Sequence, residues 1–270
     1  MNARAMARPA RRWAEPAARV GYTAKGIVHV VVGGIAVRAA LGWGGRATDT
    51  RGALQTMGEP GLFGTLLLPL VAAGLFAYVF WRLAQALLDL DRKGDDARGL
   101  LARAGFLGSG FAYAGLALTA AQMAMGGAGG GRDEVRLWTA RALADPDRWW
   151  LVVATGVGVA SGGLFQFYKA HANRFEEHLA LSRISAQGRR WVRRVGRVGL
   201  VARGVTLGVI GWFLVLAGMH VDAGEAHGLG GALRALRQAD YGPWLLGGVG
   251  VGLAAYGLFS MVEGRFRRIG

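Results

Sequence analysis

The chain has no cysteine among its 270 residues. That excludes disulfides, thiolate metal sites, iron–sulfur ligation and a cysteine nucleophile together. Acidic residues are few: 17 Asp and Glu stand against 32 Lys and Arg, and only 18% of residues are charged. Enzyme signatures are missing as well. There is no Walker A sequence, no H-E-x-x-H and no G-x-S-x-G nucleophile elbow. "GVGVASGG" at 156–163 has the glycine content of a dinucleotide loop, but it lies inside an apolar run with no strand before it. No cofactor is expected.

What fills the chain instead is apolar sequence. Hydrophobic residues make up 53%, and mean hydropathy is +0.29, above the soluble average. The 46 glycines follow no G-X-Y period, so collagen is excluded. A formal charge of +15 on a soluble protein would suggest nucleic acid. Here the charge sits in short blocks between apolar runs, so it marks topology and no nucleic-acid partner is expected.

Six apolar stretches stand out, at 20–42, 62–88, 104–126, 148–170, 198–219 and 241–263. Each has about 20 residues or a little more, enough for a helix to cross a hydrocarbon core of about 30 Å. They lack the polar face of a soluble amphipathic helix. The expected fold class is all-α: a polytopic membrane protein with six transmembrane helices. Basic residues cluster before the first span, between spans two and three (Arg92, Lys93, Arg98), between spans four and five (Arg189, Arg190, Arg193, Arg194), and after the last (Arg265, Arg267). The positive-inside rule therefore puts both termini in the cytoplasm, and the expected location is the inner (plasma) membrane. "RRW" near the start resembles a twin-arginine signal, but the run that follows is too long and carries Lys25 and Arg38.

One phrase occurs three times: "RVGYTAKG" at 19–26, "RAGFLGSG" at 103–110 and "RVGLVARG" at 197–204. Its signature is Arg19, Gly21 and Gly26; Arg103, Gly105 and Gly110; Arg197, Gly199 and Gly204. Each copy opens a glycine-rich span. A short outer segment follows (52–61, 138–147, 231–240), then a second span with an aromatic near its inner half: Tyr78, Phe165 or Tyr256. The organisation is a basic tail at 1–18, repeats at 19–93, 103–178 and 197–270, and a basic interfacial segment at 179–196. Two spans per unit keep successive units the same way up, so the repeats are parallel, with a possible pseudo-threefold axis along the membrane normal. Small residues four apart (Gly105 with Ser109, Gly204 with Gly208, Gly248 with Gly252) are candidates for close helix approach. "GALRALRQ", with Leu233 and Leu236 on one face and Arg234 and Arg237 on another, suits a short interfacial helix. "RISAQGRRWVRR" at 183–194 suits another, with Trp191 at headgroup depth and its arginines against anionic lipid headgroups.

With the repeat laid out, "RRWVRRVGRVGLVARG", "AHGLGGALRAL", "LLGGVGVGLAAYGLF" and "EGRFRR" resemble the bacterial membrane proteins carrying domain of unknown function 1206. The resemblance implies three two-helix units and no particular activity, substrate or cofactor. Gly199, Arg203, Gly204, Gly231, Leu233, Tyr256, Gly257, Arg265 and Arg267 match the family pattern in the third unit. The middle unit departs most, with Trp138 where the others have glycine.

Ionisable groups inside spans are costly and are functional candidates by default. Lys25, His29, Arg82, Arg203 and Glu263 form the candidate intramembrane polar site. Lys25 and Arg203 hold the same repeat position, and Ser109 fills it in the middle unit. Either they snorkel to the nearby interface, or one of them pairs with Glu263 and closes a cytoplasmic mouth. His29 is expected to make a core hydrogen bond. Tyr113 takes its place in the second unit. His220, Asp222, Glu225 and His227 in the loop after span five are weak metal candidates, because their spacing matches no standard motif. "HANRFEEH" sets His171 and His178 seven apart, with Arg174 between them.

The expected role is structural or interactive, in contact with membrane lipids. The alternative is a transporter or channel for a small solute or ion at the repeat interface. A polar cavity at mid-depth would favour the second; a dry, glycine-packed axis would favour the first.

Overall fold

In a bilayer every backbone N–H and C=O must be satisfied within its own segment, so apolar runs of this length become helices. A computed structural model of the chain describes residues 3–43, 50–58, 62–127, 134–172, 179–180 and 184–267, with side chains except at 3–14, 62–64, 134 and 146. Arg46, Arg132, Arg174, Arg183 and His178 lie outside the described residues. Among those described, six long helices carry the spans: α1 (Ala3–Ala40), α3 (Leu62–Leu87), α4 (Ala97–Ala124), α6 (Trp149–His171), α7 (Ala186–Met219) and α9 (Gly242–Phe266). All six are long and apolar enough to cross a membrane. Three short helices follow the first spans: α2 (Thr50–Met57), α5 (Glu134–Leu143) and α8 (Leu229–Gln238). The described residues form no strand beyond one antiparallel bridge between Leu179 and Arg267.

Two expectations about these elements change. The basic segment at 183–194 is not a separate interfacial helix. From Ala186 it runs on into α7, whose 34 residues reach about 50 Å at 1.5 Å each, well past the hydrocarbon core. Ser185 caps that start by accepting from the Gly188 N–H. The short helices also turn inward. Leu54 of α2 and Leu233 of α8 are fully buried in one core cluster with α1, α3, α4 and α9. They cap the bundle at the end opposite the basic blocks.

Each second span packs on the first span of the next unit: α3 on α4, α6 on α7, and α9 back on α1. Within units, α1 packs on α3 and α7 on α9. The two spans of the middle unit, α4 and α6, share no such face. Glycine explains most of this. Gly21 and Gly199 press against the backbones of Tyr78 and Tyr256; a Cβ on either would stand 2.5 Å from the tyrosine Cα. Between units the backbones meet directly. Gly26 faces Gly257 and Gly33 faces Gly250 across α1 and α9, and Gly204 faces Gly163 and Gly211 faces Gly156 across α7 and α6. These are small-residue contacts seven apart. Of the four-residue pairs read from the sequence, Gly204 and Gly252 make close contacts and the Gly208 backbone lies beside Gly163, whereas a Cβ on Gly105, Gly208 or Gly248 would meet nothing within 4 Å.

The matching glycine contacts also correct the repeat register. Gly163 takes the place of Gly257, so the counterpart of Tyr256 in α6 is Gly162, not Phe165. Phe165 is 57% exposed. Without a tyrosine on α6, Gly105 has no seat there, and α4 stands apart from α6.

Candidate functional site

Polar side chains of the first spans converge where α1, α4 and α7 come together. His29 sits on the buried face of α1, one turn beyond Lys25, and both are almost fully buried, at 4% and 2% exposure. The His29 Nδ1–H donates to the Lys25 carbonyl at 2.8 Å. Its Nε2 accepts from Arg203 Nη1 of α7 at 3.1 Å. Those two partners define a neutral imidazole with its proton on Nδ1. The Arg203 guanidinium lies 4.7 Å from the Tyr256 ring centre, and Tyr113 of α4 borders the same space.

Below this level, towards the basic end, lies a layer of tyrosines and cations. Lys25 Nζ stands 4.8–5.2 Å from the ring centres of Tyr22, Tyr78 and Tyr256. This is the geometry by which aromatic faces hold a cation. Tyr78 meets Tyr113 edge-on at 4.7 Å. Arg82 donates through Nε to the Tyr78 hydroxyl at 2.7 Å and through Nη1 to Gln85 Oε1 at 3.0 Å. Gln85 Nε2 donates to Asp91 Oδ2 at 2.7 Å.

Arg267, at the end of α9, closes the chain of bonds. It donates to the Tyr22 hydroxyl at 2.7 Å, to Glu263 Oε1 at 3.1 Å and to Asp91 Oδ2 at 3.0 Å. Burial works against its charge, but the Tyr22 hydroxyl, Glu263 and Asp91 outweigh burial and hold its pKa above the ordinary range. Hydrogen bonds and then tyrosine-ring contacts thus lead from the α3–α4 loop into the bundle as far as Arg203.

Above the His29–Arg203 level is a cavity of about 180 Å³. Its floor is His29, Tyr113 and Arg203, and its walls include Leu116 and Leu207. Thr50 and Leu229, the first residues of α2 and α8, lie at its far end. A larger depression of about 490 Å³ lies between α7 and α8 beside Phe213, His227 and Arg234, but no buried cation lines it.

The Domain of Unknown Function (DUF1206) family matches the chain three times, over residues 20–89, 104–172 and 198–267. The chain belongs to that family. It is also similar to an uncharacterized protein YxxB of Bacillus subtilis (strain 168), 33% identical over 257 residues that cover 95% of this chain and 92% of that protein. No solved structure matches the chain.

In this DUF1206 protein the three matched stretches each supply one first span to the site. Lys25, His29, Arg82 and Arg203 come together as one cluster. Glu263 joins it only through Arg267, so the expected pairing of Lys25 or Arg203 with Glu263 does not form. Neither cation snorkels: both turn into the bundle. Tyr22 beside them is buried as well. Among the signature residues, Gly21, Gly26, Gly110, Gly199 and Gly204 pack against neighbouring helices, while Gly105 faces open space. Arg19 pairs with Glu15 at 2.5 Å, Arg103 bonds the Ala86 carbonyl and Asp95, each at 2.7 Å, Arg197 is exposed, and Gly110 packs on Arg82 and Leu83.

The four metal candidates do not gather into one site. His220 bonds Glu225 at 2.9 Å, Asp222 accepts from the Gly224 N–H at 2.7 Å, and His227 stacks edge-on with Phe213 at 4.9 Å. No three His, Asp or Glu side chains among the described residues are placed to share an ion. Sequence reasoning passed over Gln85 and Asp91 as site members. Asp91 is an acid inside a basic block, which was the available signal.

Proposed function

We propose that the protein is a multi-pass inner-membrane protein, with both termini in the cytoplasm, that binds a small solute between its three first spans and passes it across the membrane. The cavity above His29, Tyr113 and Arg203 carries this reading, because each unit contributes one polar side chain to its floor. Its volume limits the solute. At about 30 Å³ per water in the liquid, it equals roughly six waters, below the pocket size of drug-sized ligands or organic cofactors. The tyrosine–cation layer closes the cytoplasmic side, so this conformation opens outward, and passage requires that layer to rearrange. In the same reading the basic ends of α1 and α7 lie against anionic lipid headgroups.

The glycine contacts of α1 with α9 and of α6 with α7 favour a second reading, a purely structural scaffold. Uptake into proteoliposomes separates the two. In a screen of small solutes, the wild-type protein should raise uptake of at least one, and Leu207→Trp, which fills the cavity, should remove the increase. No uptake of any solute by well-folded protein sinks the passage reading.

A further inference from the structure

The cavity has a floor of one charge sign. Among the described residues, no carboxylate lies at ion-pair distance from Lys25, Arg82 or Arg203. The carboxylates nearest the cluster, Asp91 and Glu263, are taken by Arg267, with Gln85 as a further donor to Asp91. The three cations are held instead by tyrosine rings, the Tyr78 hydroxyl, Gln85 and a neutral histidine. Those partners offset part of the cost of burying charge, but none supplies the opposite charge.

A second observation is independent of charge count. Arg203 Nε is buried without a hydrogen-bond partner. Among the described residues three other buried side-chain atoms share that condition: Trp81 Nε1, Ser260 Oγ and Arg267 Nε. Of the four residues, only Arg203 lines the cavity. A guanidinium presents its donors in a fork that matches two oxygens of one acceptor. Among the described residues no Asp or Glu lines the cavity, which disfavours a cation there, and Thr206 adds a hydroxyl at its wall.

Resting on the passage reading above, we infer that the solute is a small soluble oxyanion, such as sulfate, phosphate or a short carboxylate, bound by the Arg203 guanidinium with Lys25 and Arg82 as fixed positive charge beneath it. The cavity is too small for a lipid with its headgroup, and it extends towards α2 and α8 at the end of the bundle. Its apolar walls, Leu116, Leu207, Ile210 and Leu253 among them, lower the local dielectric and strengthen the attraction between Arg203 and an anion.

The test uses the full chain in nanodiscs of zwitterionic phosphatidylcholine, so that no anionic lipid is present. Sodium sulfate, phosphate and acetate are titrated calorimetrically at constant ionic strength, with glycerol as a neutral control. Wild type should bind at least one oxyanion saturably and should not bind glycerol. Arg203→Gln should weaken binding by about ten-fold or more, the loss expected for a charge-assisted hydrogen bond, and Arg203→Lys should retain part of it. Leu207→Trp, which keeps every charge, should abolish binding, and it carries the test if Arg203→Gln fails to fold.

Absence of saturable binding to wild type overturns the inference, as does unchanged affinity in Arg203→Gln. Binding that appears only after anionic phosphatidylglycerol is added assigns the site to lipid and overturns it too. Uptake of an uncharged solute without oxyanion binding overturns the anion while passage stands. Oxyanion binding without uptake upholds the anion and removes passage.

Discussion

Arg203 of α7 reaches across the bundle and donates to His29 of α1 at 3.1 Å, joining positions 174 residues apart. The bond links the first spans of the outer two units and sets the floor of the cavity. It needs an acceptor at His29 Nε2, and a glutamine side chain can supply one. His29→Leu should therefore destabilise the protein by about 1.5–3 kcal/mol, the contribution of a hydrogen bond to a charged group, and His29→Gln by less. Thermal unfolding of the three proteins in one lipid environment measures the order. Equal stability of His29→Leu and wild type would mean that the bond contributes nothing.

Glycine should matter by location rather than by type. Gly26→Ala would place a Cβ 2.6 Å from the Gly257 carbonyl oxygen, forcing α1 from α9. Overpacking of this kind costs about 1–3 kcal/mol. Gly105 holds the repeat position of Gly21 but has nothing within 4 Å. Gly105→Ala should leave stability unchanged or raise it slightly, since alanine is the better helix former. A destabilised Gly105→Ala would show that α4 and α6 pack together after all.

Arg267 should be worth more to the fold than any exposed arginine. Its side chain is 7% exposed and it serves Asp91, Glu263 and Tyr22 at once. Arg267→Ala leaves Asp91 with Gln85 as its remaining donor in this network and strips Glu263 of its ion pair, at a cost of about 3 kcal/mol or more. The double variant Arg267→Met with Asp91→Leu should recover part of that loss, because no unpaired charge remains at Asp91. Melting temperatures of the singles and the double complete the cycle.

The loop after α7 should not respond to metal. His220 and Glu225 pair with each other, Asp222 accepts from the Gly224 N–H and His227 packs on Phe213, so the four are not placed around one ion. Added zinc or a chelator should leave the melting temperature of the purified protein where it was. A zinc-dependent rise that disappears in His220→Ala would overturn that.

Much of the architecture was legible because it depends on local composition. Span lengths, the basic blocks and the three copies of the opening phrase are properties of short stretches, and the six long helices follow them. Partner choice is different. That α9 returns to α1 depends on Gly250 and Gly257 meeting Gly33 and Gly26 from the far end of the chain. The register of α6 was misread because its glycine-rich sequence accepts two alignments; an aromatic match at Phe165 outweighed the glycine spacing that governs packing. At the site, residue types pointed to Lys25, His29 and Arg203, but hydropathy does not say which way a lysine turns. Burial beneath Tyr22, Tyr78 and Tyr256 required the assembled bundle.

The absence of native cysteine makes the most direct measurement simple. Single Leu207→Cys and Gly105→Cys variants are made in the otherwise cysteine-free chain and exposed, in sealed oriented vesicles, to a membrane-impermeant thiol reagent. If the cavity is a water-filled vestibule open to the outer face, the Leu207→Cys variant is labelled from that side alone, and the Gly105→Cys variant, which faces open space outside the cavity, is not. Failure of the Leu207→Cys variant to react from the outer face, with the protein folded, would contradict a solute route between the three first spans.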